Sequence, residues 1–226
     1  MKKIAIFFLL LFIVGCKQID VNDDILSGVG DCACGQIAES CNLISNLSTD
    51  STCLNITTNN IEIDCAGYTI LGTANNSVGI NINQVDNTTI KNCIIKSNLT
   101  DLKAELFEGI VGILGNSNAT IYNNTLLNNS RAIRFENYIS SVNITNNELH
   151  DGEVAIILWG GQAQDSYIIG NNISNYNTSY YYNSAITVRF INNLTIKENY
   201  IVNGDWPITT ELYAIFNSTI ENNVFI

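Results

Sequence analysis

Basic residues are scarce in this sequence. Lys and Arg number 10 against 21 Asp and Glu, and the net charge is −11. Nucleic acid and anionic membrane surfaces are therefore disfavoured as partners, since phosphate contacts need Lys and Arg. Histidine and methionine are nearly missing. His150 is the single histidine and Met1 the single methionine, so a soft copper site would have no ligand other than cysteine, and no metal is expected. Long apolar runs are lacking as well. Ile4 to Val14 is unbroken for 11 residues, too short to span a bilayer. Charge of either sign is low at 14%, while 46% of residues are apolar, which excludes a disordered chain.

The beginning of the chain has the features of an export signal. Met1-Lys2-Lys3 is basic, and the apolar run follows directly, so residues 1–15 are read as a signal peptide and set aside from the fold. Ile13-Val14-Gly15-Cys16 resembles the lipobox of secreted lipoproteins. That resemblance implies lipidation at Cys16 and attachment to the membrane through the lipid, at the cell envelope or outer surface. Residues 16–30, rich in Asp, Asn, Ser and Gly, read as a polar tether.

Seven cysteines are present. With Cys16 set aside, Cys32, Cys34, Cys41, Cys53, Cys65 and Cys93 remain, an even number in an exported chain, which predicts disulfides of open pairing. Zinc fits poorly, because Cys32-X-Cys34 lacks the usual two-residue spacer and no histidine is near. Residues 31–53 read as a Cys-rich cap.

Residues 54–226 carry a repeated phrase. It runs Ile90-Lys91-Asn92-Cys93, Ile121-Tyr122-Asn123-Asn124, Ile144-Thr145-Asn146-Asn147, Ile169-Gly170-Asn171-Asn172, Ile196-Lys197-Glu198-Asn199 and Ile220-Glu221-Asn222-Asn223, with a looser copy at Ile63. The lead isoleucines are 27, 31, 23, 25, 27 and 24 residues apart. That period predicts a solenoid. Alternation of Ile with polar residues predicts strand. The second position of each Asn doublet suits a sharp bend, and Asn side chains stacked coil on coil would hydrogen-bond along the column. A second strand phrase precedes each copy: Gly79-Ile80-Asn81, Gly112-Ile113-Leu114, Ala132-Ile133-Arg134, Ala155-Ile156-Ile157 and Ala185-Ile186-Thr187.

These phrases resemble the right-handed parallel β-helix repeat of pectate-lyase-like proteins, including NosD-type and sugar-hydrolase β-helix domains. The resemblance covers about residues 53–226 and implies an all-β solenoid of about seven coils behind its Cys-rich cap. The last repeat ends at Ile226 with no polar cap after it, which invites a partner over that end. Sequons at Asn46, Asn55, Asn87, Asn98, Asn118, Asn143, Asn193 and Asn217 follow from a repeat that sets Asn and Thr at fixed offsets.

A β-helix core is aliphatic, so chemistry belongs on the outside. Counting along the second strand phrase places Glu136, Trp159 and Arg189 on successive coils, with Arg134 beside Glu136. An indole for a sugar ring and charges for its polar groups make this a candidate carbohydrate-binding face, and an ion-pair network with a covering Trp is the competing reading. Two insertions, Asn98 to Glu108 and Ser174 to Ser184, would flank it. The first has the look of a short helix, and the second supplies Tyr180, Tyr181 and Tyr182 as stacking candidates. If the chain is a hydrolase or lyase instead, Asp151 with Glu153 or Asp205 would provide the carboxyl pair and His150 would assist. For a lyase the family resemblance would also imply Ca²⁺, although no dense Asp cluster matches. Neither the Asp-Asp pair nor the His-Gly of polygalacturonase-like enzymes occurs in the repeats. The favoured expectation is a surface protein that binds glycan or cell-envelope polymer, or serves as a structural or adhesive module, without catalysis.

Overall fold

A computed structural model describes residues 29–82, 84–99, 107–112, 117–137, 139–163, 165–176, 184–203, 206–210 and 215–226. Among them there is no helix. Short strands wind into three parallel sheets, in the order A, C, B around each coil. Sheet A has nine strands, from Gly30–Asp31 to Thr219–Glu221. Sheet C has eight, from Leu47–Thr49 to Val224–Phe225. Sheet B has nine, from Gly35–Ile37 through Ile208–Thr210, with Ile215–Phe216 paired beside Ile191–Asn192. The expected parallel β-helix is the fold. Strands of the Cys-rich segment already belong to the three sheets.

Columns of inward side chains run up each sheet and fill the core, the lead-isoleucine position of sheet A among them. In sheet A that column includes Ile63, Ile90, Ile121, Ile144, Ile168 and Ile196, all 0% exposed. Such burial of an Ile side chain is worth about 1.5–3 kcal/mol each. Sheet B begins each coil with two consecutive inward residues, as in Ala132-Ile133 and Ala155-Ile156. The first of the two must be small. A Cβ on Gly109 would strike the Ala132 carbonyl of the next coil and the Leu126 side chain.

Beyond the first coils, most corners among the described residues turn through a left-handed residue. After sheet A these are Asn92, Asn123, Asn146, Gly170, Glu198 and Asn222; after sheet C, Asn128, Asp151, Asn175 and Asn203; before sheet A, Asn60, Asn87, Asn118, Ser141, Asp165, Asn193 and Asn217. Asn dominates because it tolerates positive φ better than other residues bearing a Cβ.

The structure corrects the sequence reading in four places. The bend falls on the first Asn of each doublet, not the second. The second forms a buried ladder, and in one repeat that residue is Asn171 rather than Asn172, because Ile168 and not Ile169 pairs with Ile144 and Ile196. Gly170 supplies the bend there with φ 67°, so the true lead spacings are one residue shorter and one longer. In sheet B the phrase aligned with Ala132-Ile133-Arg134 is Gly109-Ile110-Val111, not Gly112-Ile113-Leu114. The first insertion also ends earlier than expected, since Phe107 and Glu108 are already strand.

Asn124, Asn147, Asn171 and Asn199 are each 1% exposed. The backbone N–H groups of Cys93, Asn124, Asn147, Asn171 and Asn199 donate in turn to Oδ1 of the Asn one coil on, at 2.9–3.0 Å. Each Nδ2 donates back to an isoleucine carbonyl one coil below, for example Asn147 to Ile121 at 3.0 Å. Buried amides are tolerated because every coil satisfies its neighbour.

All six candidate cysteines pair: Cys32 with Cys41, Cys34 with Cys53 and Cys65 with Cys93. Cys34 and Cys53 occupy adjacent coils at the small position that opens sheet B. Cys65 and Cys93 occupy adjacent coils where the Asn ladder would otherwise continue.

Candidate functional site

Sheet B brings the expected ladder together. Glu136 pairs in register with Trp159, and Trp159 with Arg189. All three side chains are half-buried on the outer face. Arg134, two residues before Glu136, joins them. Its Nε and Nη2 donate to the two Glu136 carboxylate oxygens at 2.9 and 3.1 Å, while Nη1 donates to Glu108 Oε1 at 2.6 Å. Arg131 donates to the same Glu108 oxygen at 2.6 Å. Burial opposes the Arg134 charge, but the Glu136 and Glu108 carboxylates outweigh it and hold its pKa above the ordinary guanidinium value.

The surroundings explain why these charges pair so closely. Arg134 lies in an outward column with Val111, Ile157 and Thr187, which are only 2%, 6% and 5% exposed. Charges in so closed a setting need partners, and removing one leaves the other costly. The network therefore anchors the face, and its open part lies further along the strands.

That open part is aromatic and cationic. The Arg189 guanidinium lies 4.5 Å from the Trp159 ring centroid and 5.2 Å from that of Phe190. One face of the Trp159 ring is thus covered by Arg189. Cation–π stacking holds both groups at fixed positions. Phe190 is 43% exposed and has φ 57°, a conformation that is an outlier for a bulky side chain. Backbone strain of this kind concentrates at functional sites. Trp206, 59% exposed, stands just before the sheet B strand Ile208–Thr210, its carbonyl accepting the Ala185 N–H at 3.0 Å.

Sequence reasoning missed Glu108, Arg131, Phe190 and Trp206. The available signal was composition: all three arginines of the chain (Arg131, Arg134 and Arg189) and both tryptophans collect at one sheet. Tyr180, Tyr181 and Tyr182 lie outside the described residues, as do Asp205 and Cys16. The gap that holds the tyrosines, 177–183, opens at the corner between sheets C and B, and 100–106 opens at the same corner three coils earlier.

Of the candidate catalytic residues, the described ones, His150, Asp151 and Glu153, are not assembled on this face. His150 points outward from sheet C, its Nδ1 2.6 Å from Ser174 Oγ. Asp151 is the corner residue of its coil at φ 58°, and its Oδ1 accepts Asn175 Nδ2 at 2.9 Å. It sits in the bend column with Asn128, Asn175 and Asn203, a scaffold role. Glu153 lies in the turn into sheet B, its N–H donating to the Ser130 carbonyl at 3.0 Å. On sheet B, Glu108 and Glu136 already accept from arginines, so neither is placed as a proton donor to a leaving group. Two shallow hollows lined by described residues lie elsewhere. One of about 590 Å³ includes Cys34, Ser48, Asp50 and Thr73; one of about 420 Å³ follows the corner at Asn92, Cys93 and Asn123.

Among the described residues no group of three or more His, Cys, Asp or Glu is placed to hold a metal ion. Comparison with protein-family models, with curated proteins and with solved structures finds no match. The class defined by the geometry is a parallel β-solenoid, and the rest of the functional reading must stand on the site itself.

Proposed function

We propose that the protein is an exported, lipid-anchored member of the pectate-lyase-like β-helix group that binds carbohydrate on sheet B without cleaving it. The observation that supports this most is the gathering of every arginine and both tryptophans at that sheet, in a chain of net charge −11. Rigid strands hold the Trp159–Arg189–Phe190 stack, so little order has to be gained on binding. Aromatic rings give apolar area for a sugar, and Arg189 stacked on Trp159 fixes the ring in place. Among the described residues no acid/base pair is assembled on this face, which favours binding over turnover.

The experiment is a glycan-array measurement with the wild type and Trp159→Ala, alongside assays for reducing ends and unsaturated products. Trp159→Ala should weaken binding by about 1 kcal/mol or more, on the scale of aromatic contacts. Unchanged binding by that variant, or product formation abolished by Asp151→Asn, would overturn the reading. For the anchor, fractionation should place the protein in membranes with a modified Cys16 at its N-terminus; a soluble protein beginning elsewhere refutes that part.

A further inference from the structure

Sheet A offers a second outer face of different character. Its outward side chains on three consecutive coils are Thr120 and Tyr122, Asn143 and Thr145, and Tyr167 and Ile169. None is charged. The charges of this face stand at either end of the stretch and are paired there. Lys91 meets Glu62 at 2.6 Å and Asp64 at 3.5 Å, and Lys197 meets Glu198 at 3.2 Å and Glu221 at 3.7 Å. An acidic protein has kept its central sheet A surface neutral and has closed its charges on themselves.

Three features of the stretch favour a ligand. Tyr167 is 41% exposed, with Ile169 beside it on the same strand, so an aromatic ring and an aliphatic side chain form one apolar step. Tyr122 lies two coils away and two residues along, about 12 Å from Tyr167 at the Cα atoms from sheet geometry. The surface between them is lined with hydroxyl and amide groups, and Asn143 Oδ1, on the strand next to Tyr167, is shielded from solvent yet accepts no hydrogen bond. A buried carbonyl without a donor is costly, and a ligand hydroxyl that displaced the side chains covering it would supply the missing donor.

We propose that this stretch is a second carbohydrate site, and that it takes a neutral glycan chain. Neutral sugars present apolar ring faces for the two tyrosines and hydroxyls for Asn143 and the threonines. An acidic polymer would find no cation free of a carboxylate partner along the described part of this face. The site does not depend on the sheet B reading and uses none of its residues.

The test is affinity electrophoresis of the purified protein through gels holding a neutral galactomannan, a neutral β-glucan or acidic alginate. The wild type should be retarded by at least one neutral polymer. Tyr167→Ala should raise the apparent Kd about fivefold to tenfold, the range expected for losing one stacking contact. Tyr167→Phe, which keeps the ring, should bind as the wild type does, and Tyr167→Ala should weaken neutral-polymer retardation in a Trp159→Ala background as well. No retardation by either neutral polymer overturns the proposal. So does a Tyr122→Ala, Tyr167→Ala double variant that binds like the wild type. Loss of neutral binding in Trp159→Ala alone would assign the ligand to sheet B instead.

Discussion

At the residue scale, the two members of each Asn doublet do different work although they are chemically identical. Asn146 is exposed at φ 54° and turns the corner. Asn147 is buried, takes both hydrogen-bonding ends of its amide into the ladder, and receives the Asn124 N–H and Nδ2 at 3.0 Å each. Asn147→Ala removes the acceptor for Asn124 and the donor to the Ile121 carbonyl, leaving buried groups unpaired. The expected loss is about 2–4 kcal/mol. Asn146→Ala should cost only about 1–2 kcal/mol, the price of a left-handed residue without a short polar side chain. Urea denaturation of both variants checks the order, and a larger loss at Asn146 would contradict the division of roles. Sequence alone shows the doublet but not which member turns. Ile168-Ile169-Gly170-Asn171-Asn172 reads equally well in two registers, and only pairing with Ile144 and Ile196 selects Ile168.

At the scale of the strand, period-two alternation carries most of what could be read in advance. It located the sheet A strands and placed Glu136, Trp159 and Arg189 in one row, which pairing confirms. It misplaced one sheet B strand because Gly109-Ile110-Val111 and Gly112-Ile113-Leu114 are near copies three residues apart. It also could not reveal the Glu108 contacts, since Glu108 is 23 residues from Arg131 and 26 from Arg134 and meets them only after the coils stack. The same alternation accounts for four of the sequons. Asn87, Asn118, Asn193 and Asn217 all occupy the left-handed corner before sheet A, and each is followed by one intervening residue and then Thr89, Thr120, Thr195 or Thr219 at the start of a strand's outward row. Bend, spacer, outward Thr spells a sequon for structural reasons. The strand register has a direct test in Ser140–Thr145. Ile144 is 0% exposed and Thr145 faces outward. Ile144→Asp should lose about 4 kcal/mol or more by burying an unpaired carboxylate, while Thr145→Asp stays within about 1 kcal/mol. Equal melting temperatures for the two variants would remove the register.

At the scale of the whole molecule, stability of a solenoid is close to a sum of coils and the contacts between neighbours. The contacts here are not uniform along the axis. From Asn124 to Asn223 neighbouring coils are joined by the amide ladder. Before that point the same inward column holds Cys93 and Cys65, joined by a disulfide, and Cys34–Cys53 and Cys32–Cys41 join the coils before those. A covalent series therefore gives way to a hydrogen-bonded one at the Cys93 N–H, which donates to Asn124 Oδ1 at 3.0 Å. Cysteine cannot continue an amide ladder, because a thioether-like sulfur neither donates to the carbonyl below nor accepts well from the N–H above. The disulfides are then the chief reinforcement of the first coils, where the strands are as short as two residues. Breaking Cys65–Cys93, which closes 28 residues, should cost about 3–4 kcal/mol if it acts by restricting the unfolded chain. Because coupling passes only between neighbours, the loss should stay local. In hydrogen exchange, reduction should strip protection from the strands between Gly30 and Ser97 while those between Tyr122 and Val202 keep theirs. Uniform loss of protection along the axis would mean that the coils form one cooperative unit, and that the change from disulfide to amide marks no boundary in stability.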